Sequence, residues 1–172
     1  LDGRPVYFVQ LRAGRDGVPF PLYKFRTMAV GTHDVSGGYP TDDMVTRSGR
    51  VLRRWSLDEL PQLVNVLRGD MSLVGPRPAL PSQAERYTAR QRRRLQVRPG
   101  LTGLAQVRFR NEAPWSVRIE SDIEYVDDRS LLLDLRILVL TAHRVLTGSG
   151  MTVGQQPGDV DDLGALAAIP EG

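Results

Sequence analysis

The stretch Ser72-Leu73-Val74-Gly75-Pro76-Arg77-Pro78 cannot be helical, and it lies near the middle of a 172-residue chain. Each proline lacks an amide hydrogen and pushes the residue before it away from helical angles, so this backbone must be an ordered turn or loop. Two prolines also rigidify the chain around one Arg, which lowers the entropy lost when that guanidinium clamps an anion. A plain surface turn is the competing reading.

Ahead of this block, Val6 to Leu11 has the β-branched and aromatic content of a strand. Ala13-Gly14-Arg15-Asp16-Gly17 is a turn signal, and Phe20 to Phe25 can return as the partner, which predicts a β-hairpin. Residues 29–43 are rich in Gly, Asp, Ser and Thr and read as a loop. Thr46 to Arg54 suits a short helix, weakened by Gly49. Ser56-Leu57-Asp58-Glu59 has the form of a capping box, followed by Leu60, Leu63, Val64 and Leu67 at helical spacing. With Pro61 present, the helix either starts at Ser56 and bends or starts at Pro61 itself. In both cases Asp58 and Glu59 stand at a helix N-terminus, and Gly69 ends the helix.

Beyond the block, Ser82 to Gln96 reads as an exposed helix carrying Arg86, Arg90, Arg92, Arg93 and Arg94, closed by Pro99-Gly100. Leu101 to Val107 reads as a short extended piece. Trp115 to Val126 reads as a helix with Ile119, Ile123 and Val126 on one face. The run from Leu131 to Leu146 is very apolar yet interrupted by Asp134, Arg136, His143 and Arg144. It falls short of the roughly 20 apolar residues of a membrane-spanning helix, and suits a core helix or one lying at an interface. From Gly150 onward a loose tail is expected. The start, Leu1-Asp2-Gly3-Arg4-Pro5, shows no signal peptide and no initiator Met, which suggests a fragment of a longer protein.

With no Cys, disulfides, thiolate metal sites and Cys nucleophiles are excluded. His33 and His143 stand alone, which argues against a His-rich zinc site or a Ser-His-Asp triad. Charge is strongly segregated. Residues 45–110 carry fourteen basic and four acidic side chains, and residues 111–172 carry four basic and eleven acidic ones. A middle segment this positive points to an anionic partner: phosphate groups, nucleic acid or an anionic membrane face.

Four groups of residues stand out as candidate chemistry. Asp58 and Glu59 either complete a cap and favour the helix dipole, or place an ionised Asp58 to bind a metal or attack phosphorus. Lys24, Arg26 and Thr27 can grip a diphosphate from a strand, or be solvated strand-end charges. Arg77 is the clamp already described. Asp122, Glu124, Asp127 and Asp128 either pair with the basic segment or help hold a divalent ion. No Walker loop, Rossmann glycine fingerprint, zinc finger or RNA-recognition signature is present.

In this order, several blocks together resemble the bacterial sugar transferases, the monotopic polyprenyl-phosphate phosphoglycosyl transferases. They are Gly3 to Phe8 with Gln10 and Arg12, then Tyr23-Lys24-Phe25-Arg26-Thr27-Met28, and Ser56-Leu57-Asp58-Glu59-Leu60-Pro61-Gln62-Leu63. Asn65 to Ser72, Val74-Gly75-Pro76-Arg77-Pro78 and Val97-Arg98-Pro99-Gly100-Leu101-Thr102-Gly103 follow, with Asp122, Tyr125-Val126-Asp127 and Leu131 to Leu135 last. The likeness runs from about Gly3 to Gly150.

The resemblance implies transfer of a phospho-sugar from a nucleoside diphosphate sugar, usually a UDP-sugar, to polyprenyl phosphate. Carried over, Asp58 is the nucleophile that forms a covalent phosphoryl intermediate. Glu59 assists the second step by deprotonating or positioning the acceptor. Lys24, Arg26, Arg77 and Arg98 bind phosphates, Asp122 supports the site, and Asp58 helps hold Mg²⁺. The family's N-terminal hydrophobic segment, which enters one leaflet and turns back, is absent from this sequence. The expectation is an α/β, helix-dominated single catalytic domain over residues 1–150, with a small N-terminal β-hairpin, an amphipathic interfacial helix and a tail over 151–172. Expected partners are a UDP-sugar, polyprenyl phosphate and the cytoplasmic face of a bacterial inner membrane, with no nucleic acid. The rival expectations are an Arg-rich nucleic-acid-binding module, suggested by the basic segment, and an inactive scaffold that uses its apolar helix for assembly.

Overall fold

A computed structural model describes residues 5–29, 44–109 and 113–147. The loop read after Ala29, His33 and the tail from Gly150 lie outside the described residues. The hairpin forms as expected: β1 (Tyr7–Ala13) pairs antiparallel with β2 (Pro19–Phe25), in a register that sets Phe8 opposite Lys24 and Arg12 opposite Phe20. Its connection turns at Asp16, which takes a left-handed φ of 56°, a conformation Asp tolerates better than most residues.

Helix α1 (Arg47–Arg54) follows, with the Thr46 hydroxyl accepting from the Gly49 amide at 3.0 Å. Gly49 does not merely weaken this helix. A Cβ there would stand 2.1 Å from the Thr27 carbonyl oxygen, so glycine is what lets α1 lie against the backbone that leaves β2.

The expected capping box is absent. Ser56 adopts a left-handed φ of 53° and its side chain makes no capping bond. Residues Leu57–Gln62 form a 3₁₀ turn with Pro61 inside it, and α2 (Leu63–Arg68) continues from there until Gly69 ends it at φ 84°. The tight turn accommodates Pro61 because the run is too short to need every i→i−4 bond. Asp58 and Glu59 do fall in the first turn, as anticipated, but both point inward and are buried.

The Pro-rich block starts as strand β3 (Ser72–Val74), which pairs in parallel with β4 (Gly100–Thr102). Two expectations fail here. The single helix over Ser82–Gln96 is instead α3 (Pro81–Glu85) and a separate 3₁₀ turn, Gln91–Gln96. Thr88 breaks it, because its amide and hydroxyl exchange hydrogen bonds with Gln91 rather than continuing the helix. The extended piece over Leu101–Val107 ends at Thr102, and α4 (Leu104–Phe109) takes over, burying Leu104, Ala105 and Val107.

Helices α5 (Trp115–Asp128) and α6 (Leu131–Leu146) match the expected segments. Ile119 and Ile123 are fully buried against Ala13, Ala79, Ala84 and Tyr87, whereas Val126 is only half-buried. The hydroxyl of Tyr125 donates to the Asp134 carboxylate at 2.8 Å, which gives that charge in the apolar run a partner. The apolar core is divided into small clusters: around Ile119 and Ile123, around Val74, Tyr125 and Ile137, and around Phe20, Leu22 and Met71. Polar side chains are buried too, among them Gln62, Asn65, Arg94 and Asp122.

Candidate active site

The buried Asn65 sets the position of the acidic turn. Its amide donates to the Pro21 carbonyl at 2.7 Å and its oxygen accepts from the Tyr23 amide at 3.3 Å. Helix α2, and with it the turn over Leu57–Gln62, is thereby fastened to β2. Strand alternation then directs Lys24 at the turn: its Nζ lies 2.8 Å from Glu59 Oε1. Arg77 approaches the same oxygen, with Nη2 at 2.9 Å. Glu59 therefore bridges a cation from the hairpin and a cation from the Pro-rich loop. Burial alone would raise its carboxyl, but Arg77 and Lys24 outweigh this and hold it well below the usual carboxylate range.

Asp58 differs from its neighbour. It is equally buried, yet among the described residues no cation closes to ion-pairing distance. Burial pushes its carboxyl up, Glu59 adds to that, and Lys24, Arg53 and Arg77 pull the other way. Two adjacent carboxylates are thus made different: one neutralised by two partners, the other poorly solvated and more basic.

The loop presenting Arg77 is held through its carbonyls. Those of Pro76, Arg77, Pro78 and Ala79 accept in turn from the Gly100 amide at 2.9 Å, Arg94 Nη2 at 2.8 Å, Arg12 Nη1 at 3.3 Å and the Ala13 amide at 2.9 Å. Burial lowers the Arg12 guanidinium to about 10, with Arg77 adding to the effect. Arg94 also bonds the Tyr87 hydroxyl and the Asp122 carboxylate. Asp122 is therefore connected to the site through Arg94 rather than by touching it.

Of the residues singled out from sequence, Lys24, Asp58, Glu59 and Arg77 come together. Arg26 follows directly after β2, half-buried, its amide donating to the Val6 carbonyl at 2.8 Å. Arg98 is exposed, with its guanidinium nearest the end of α2: a Cβ on Gly69 would lie 3.9 Å from it. Three further acidic residues of α5 pair with basic ones, Glu120 with Arg90, Asp127 with Arg93 and Glu124 with Arg108, whereas Asp128 is exposed at the end of the helix. These pairs give Arg90, Arg93 and Arg108 of the basic segment partners within the chain. Arg12, Tyr87 and Arg94 are the site's unanticipated members. Nothing in the run Arg92-Arg93-Arg94 distinguishes the buried third residue from its two neighbours.

A cleft of about 340 Å³ opens beside this cluster. Glu59 and Arg77 stand at one part of its lining, and Leu57, Leu60, Leu73, Leu101, Leu138 and Val145 supply apolar wall. Helix α6 is tied alongside by a 2.7 Å bond between the Thr141 and Thr102 hydroxyls, and by Arg144 donating to the Gln106 carbonyl. Among the described residues, no group of three or more His, Cys, Asp or Glu gathers as a metal cluster.

A buried carboxylate pair, two cations converging on Glu59 and an apolar cleft lined in part by Glu59 and Arg77 thus lie side by side. Residues 1–148 match the family model described as bacterial sugar transferase, and the chain belongs to that family. It is 49% identical over 149 residues to the uncharacterized sugar transferase EpsL of Bacillus subtilis, covering 87% of this chain and 74% of that protein. It is 48% identical to a UDP-glucose:undecaprenyl-phosphate glucose-1-phosphate transferase of Caulobacter vibrioides, covering 83% of this chain and 57% of that one. It is 40% identical to an undecaprenyl-phosphate galactose phosphotransferase of Salmonella typhimurium, covering 87% of this chain but 35% of the longer protein.

Proposed function

We propose that this domain transfers a phospho-sugar from a nucleoside diphosphate sugar, a UDP-sugar first among candidates, to a polyprenyl phosphate, initiating surface glycoconjugate or exopolysaccharide synthesis. The observation that carries this reading is the joining of the Glu59–Arg77 pair to an apolar cleft, which suits an acceptor with an anionic head and a hydrocarbon tail. The relatives' names point the same way.

In this reading an Asp58 carboxylate oxygen attacks the sugar-linked phosphorus. The bond from that phosphorus to the bridging oxygen breaks, and the nucleoside monophosphate leaves. An oxygen of the polyprenyl phosphate then attacks the same phosphorus, freeing Asp58 and forming polyprenyl diphosphate-sugar. The raised basicity of Asp58 favours it as nucleophile. Glu59, bound to Lys24 and Arg77 and held ionised, is a weak proton acceptor. Its role is then to position those cations toward the phosphates rather than to deprotonate the acceptor.

Mg²⁺ is commonly bound by one or two carboxylates together with substrate phosphates. Asp58, without a paired cation among the described residues, fits as the protein's ligand for an ion shared with a diphosphate. When bound, Mg²⁺ would neutralise diphosphate charge and improve the leaving group. The acceptor must be met at a bilayer, so the domain works at the cytoplasmic face of the inner membrane. The outward leucines of α6 serve as an interfacial surface. No helix among the described residues is long and apolar enough to cross a membrane.

The test is nucleoside monophosphate release from a panel of nucleotide sugars with Mg²⁺. Release that requires both the ion and Asp58 is the expected result. Salt-sensitive nucleic-acid binding without any release would favour the rival module.

A further inference from the structure

We infer that Arg94 is a positioning residue for Arg77: it fixes the backbone of the Pro76-Arg77-Pro78 loop so that the Arg77 guanidinium meets Glu59. This deepens the transferase reading and rests on it for its kinetic part. The two prolines have no amide hydrogen, so the loop cannot be held through donors at those positions. Its carbonyls anchor it instead, each from Pro76 to Ala79 accepting a hydrogen bond. The Arg77 carbonyl itself is held by Arg94, at 2.8 Å from Nη2.

Arg94 suits the task because it is buried and bonded to three acceptors. Its side chain is 3% exposed, as is that of Asp122, which accepts from the same Nη2 nitrogen. Tyr87 accepts from Nη1, and its ring lies 5.5 Å from the guanidinium carbon. A planar fork with several donors can serve three acceptors at once, which an ammonium cannot do in the same geometry. Burial opposes the charge, but Asp122 and Tyr87 overcome this and keep the guanidinium protonated. On the far side of the loop, Arg12 holds the next carbonyl, that of Pro78. Arg77 is thus carried on a segment held by one buried and one half-buried cation, where mutual repulsion would otherwise drive the guanidinium groups apart.

The experiment separates positioning from mere support of the fold. Arg94→Met leaves Asp122 buried and unpaired, so it loses stability as well as activity. Arg94→Met/Asp122→Leu removes both charges and recovers stability, yet the Arg77 carbonyl still lacks its donor. We expect nucleotide release in the first half-reaction to stay about 10- to 100-fold below wild type in this stable pair variant, the scale of a misplaced group. The pair variant that also carries Arg77→Met should be no slower than Arg77→Met alone. Recovery of activity along with stability, or losses that multiply when Arg77→Met is added, would overturn the inference.

Amide exchange supplies a reading independent of turnover. The Ala13 and Gly100 amides, which donate to the loop carbonyls, should lose protection in the pair variant while earlier hairpin amides keep theirs. Unchanged protection at both would also overturn it. If wild type releases no nucleotide, the transferase reading fails, and exchange alone decides the positioning role.

Discussion

The interior beside the dyad and the outer faces of α2 and α6 distribute side chains in opposite senses. Inside, Glu59, Arg94 and Asp122 are 7%, 3% and 2% exposed. Outside, Leu67, Leu131 and Leu132 are 88%, 86% and 78% exposed. Charges are almost never fully buried unless paired, and a row of exposed leucines marks a surface with a partner. Glu59 is matched by two cations and Arg94 by Asp122, and Asp58 is the buried carboxyl left without an ion pair among the described residues. The outer region has no such internal account, and the bilayer face proposed above supplies one.

The largest break in this contrast comes from removing one inner charge. Glu59→Gln leaves Lys24 and Arg77 facing each other without a counter-charge, and should cost about 3–5 kcal/mol in denaturant unfolding. The same contribution is pH-dependent. Because the folded-state carboxyl of Glu59 is depressed, its stabilisation is present above the ordinary glutamate value of 4.5 and is lost as pH falls through the folded-state value. Thermal melts from neutral to acidic pH should therefore fall more steeply for wild type than for Glu59→Gln.

A smaller effect, decisive in sign, is expected at the hairpin's exit. In an exposed helix interior, Gly→Ala gains about 1 kcal/mol. Gly49→Ala should instead lose about 1–3 kcal/mol, because the added methyl meets the Thr27 carbonyl. A stabilised variant would show that α1 does not rest on that backbone. The smallest stability change belongs to the outer face: Leu132→Ser with Leu135→Ser should alter stability by no more than about 0.5 kcal/mol per site. The same variant should bind anionic phospholipid vesicles more weakly than wild type in sedimentation. Unchanged vesicle binding would remove α6 from the proposed interface.

How much of this was legible in the sequence depended on whether the signal was local. The hairpin, α5, α6 and the Gly69 stop follow from strand composition, helical periodicity and a left-handed cap, all set by neighbouring residues. The Ser56 capping box failed because Ser56 itself takes a left-handed conformation, which its sequence does not announce. The helix over Ser82–Gln96 failed because Thr88 and Gln91 exchange local bonds that compete with helix. Lys24, Asp58, Glu59 and Arg77 were found as residues worth watching. That Lys24 and Arg77 share one carboxylate oxygen of Glu59 is a property of β2 and the Pro-rich loop meeting across the acidic turn. Arg94 was hidden for the opposite reason: three successive arginines look alike until the packing of α5 selects one.

The central claim is that Asp58 carries the phospho-sugar between donor and acceptor. Its most direct test is intact-mass spectrometry of the domain after incubation with a nucleotide sugar and Mg²⁺, without polyprenyl phosphate. The account predicts a mass gain equal to one sugar phosphate, located on the peptide containing Asp58, lost in Asp58→Asn and discharged when acceptor is added. Nucleotide release that continues in Asp58→Asn, with no adduct on the wild-type chain, would contradict it.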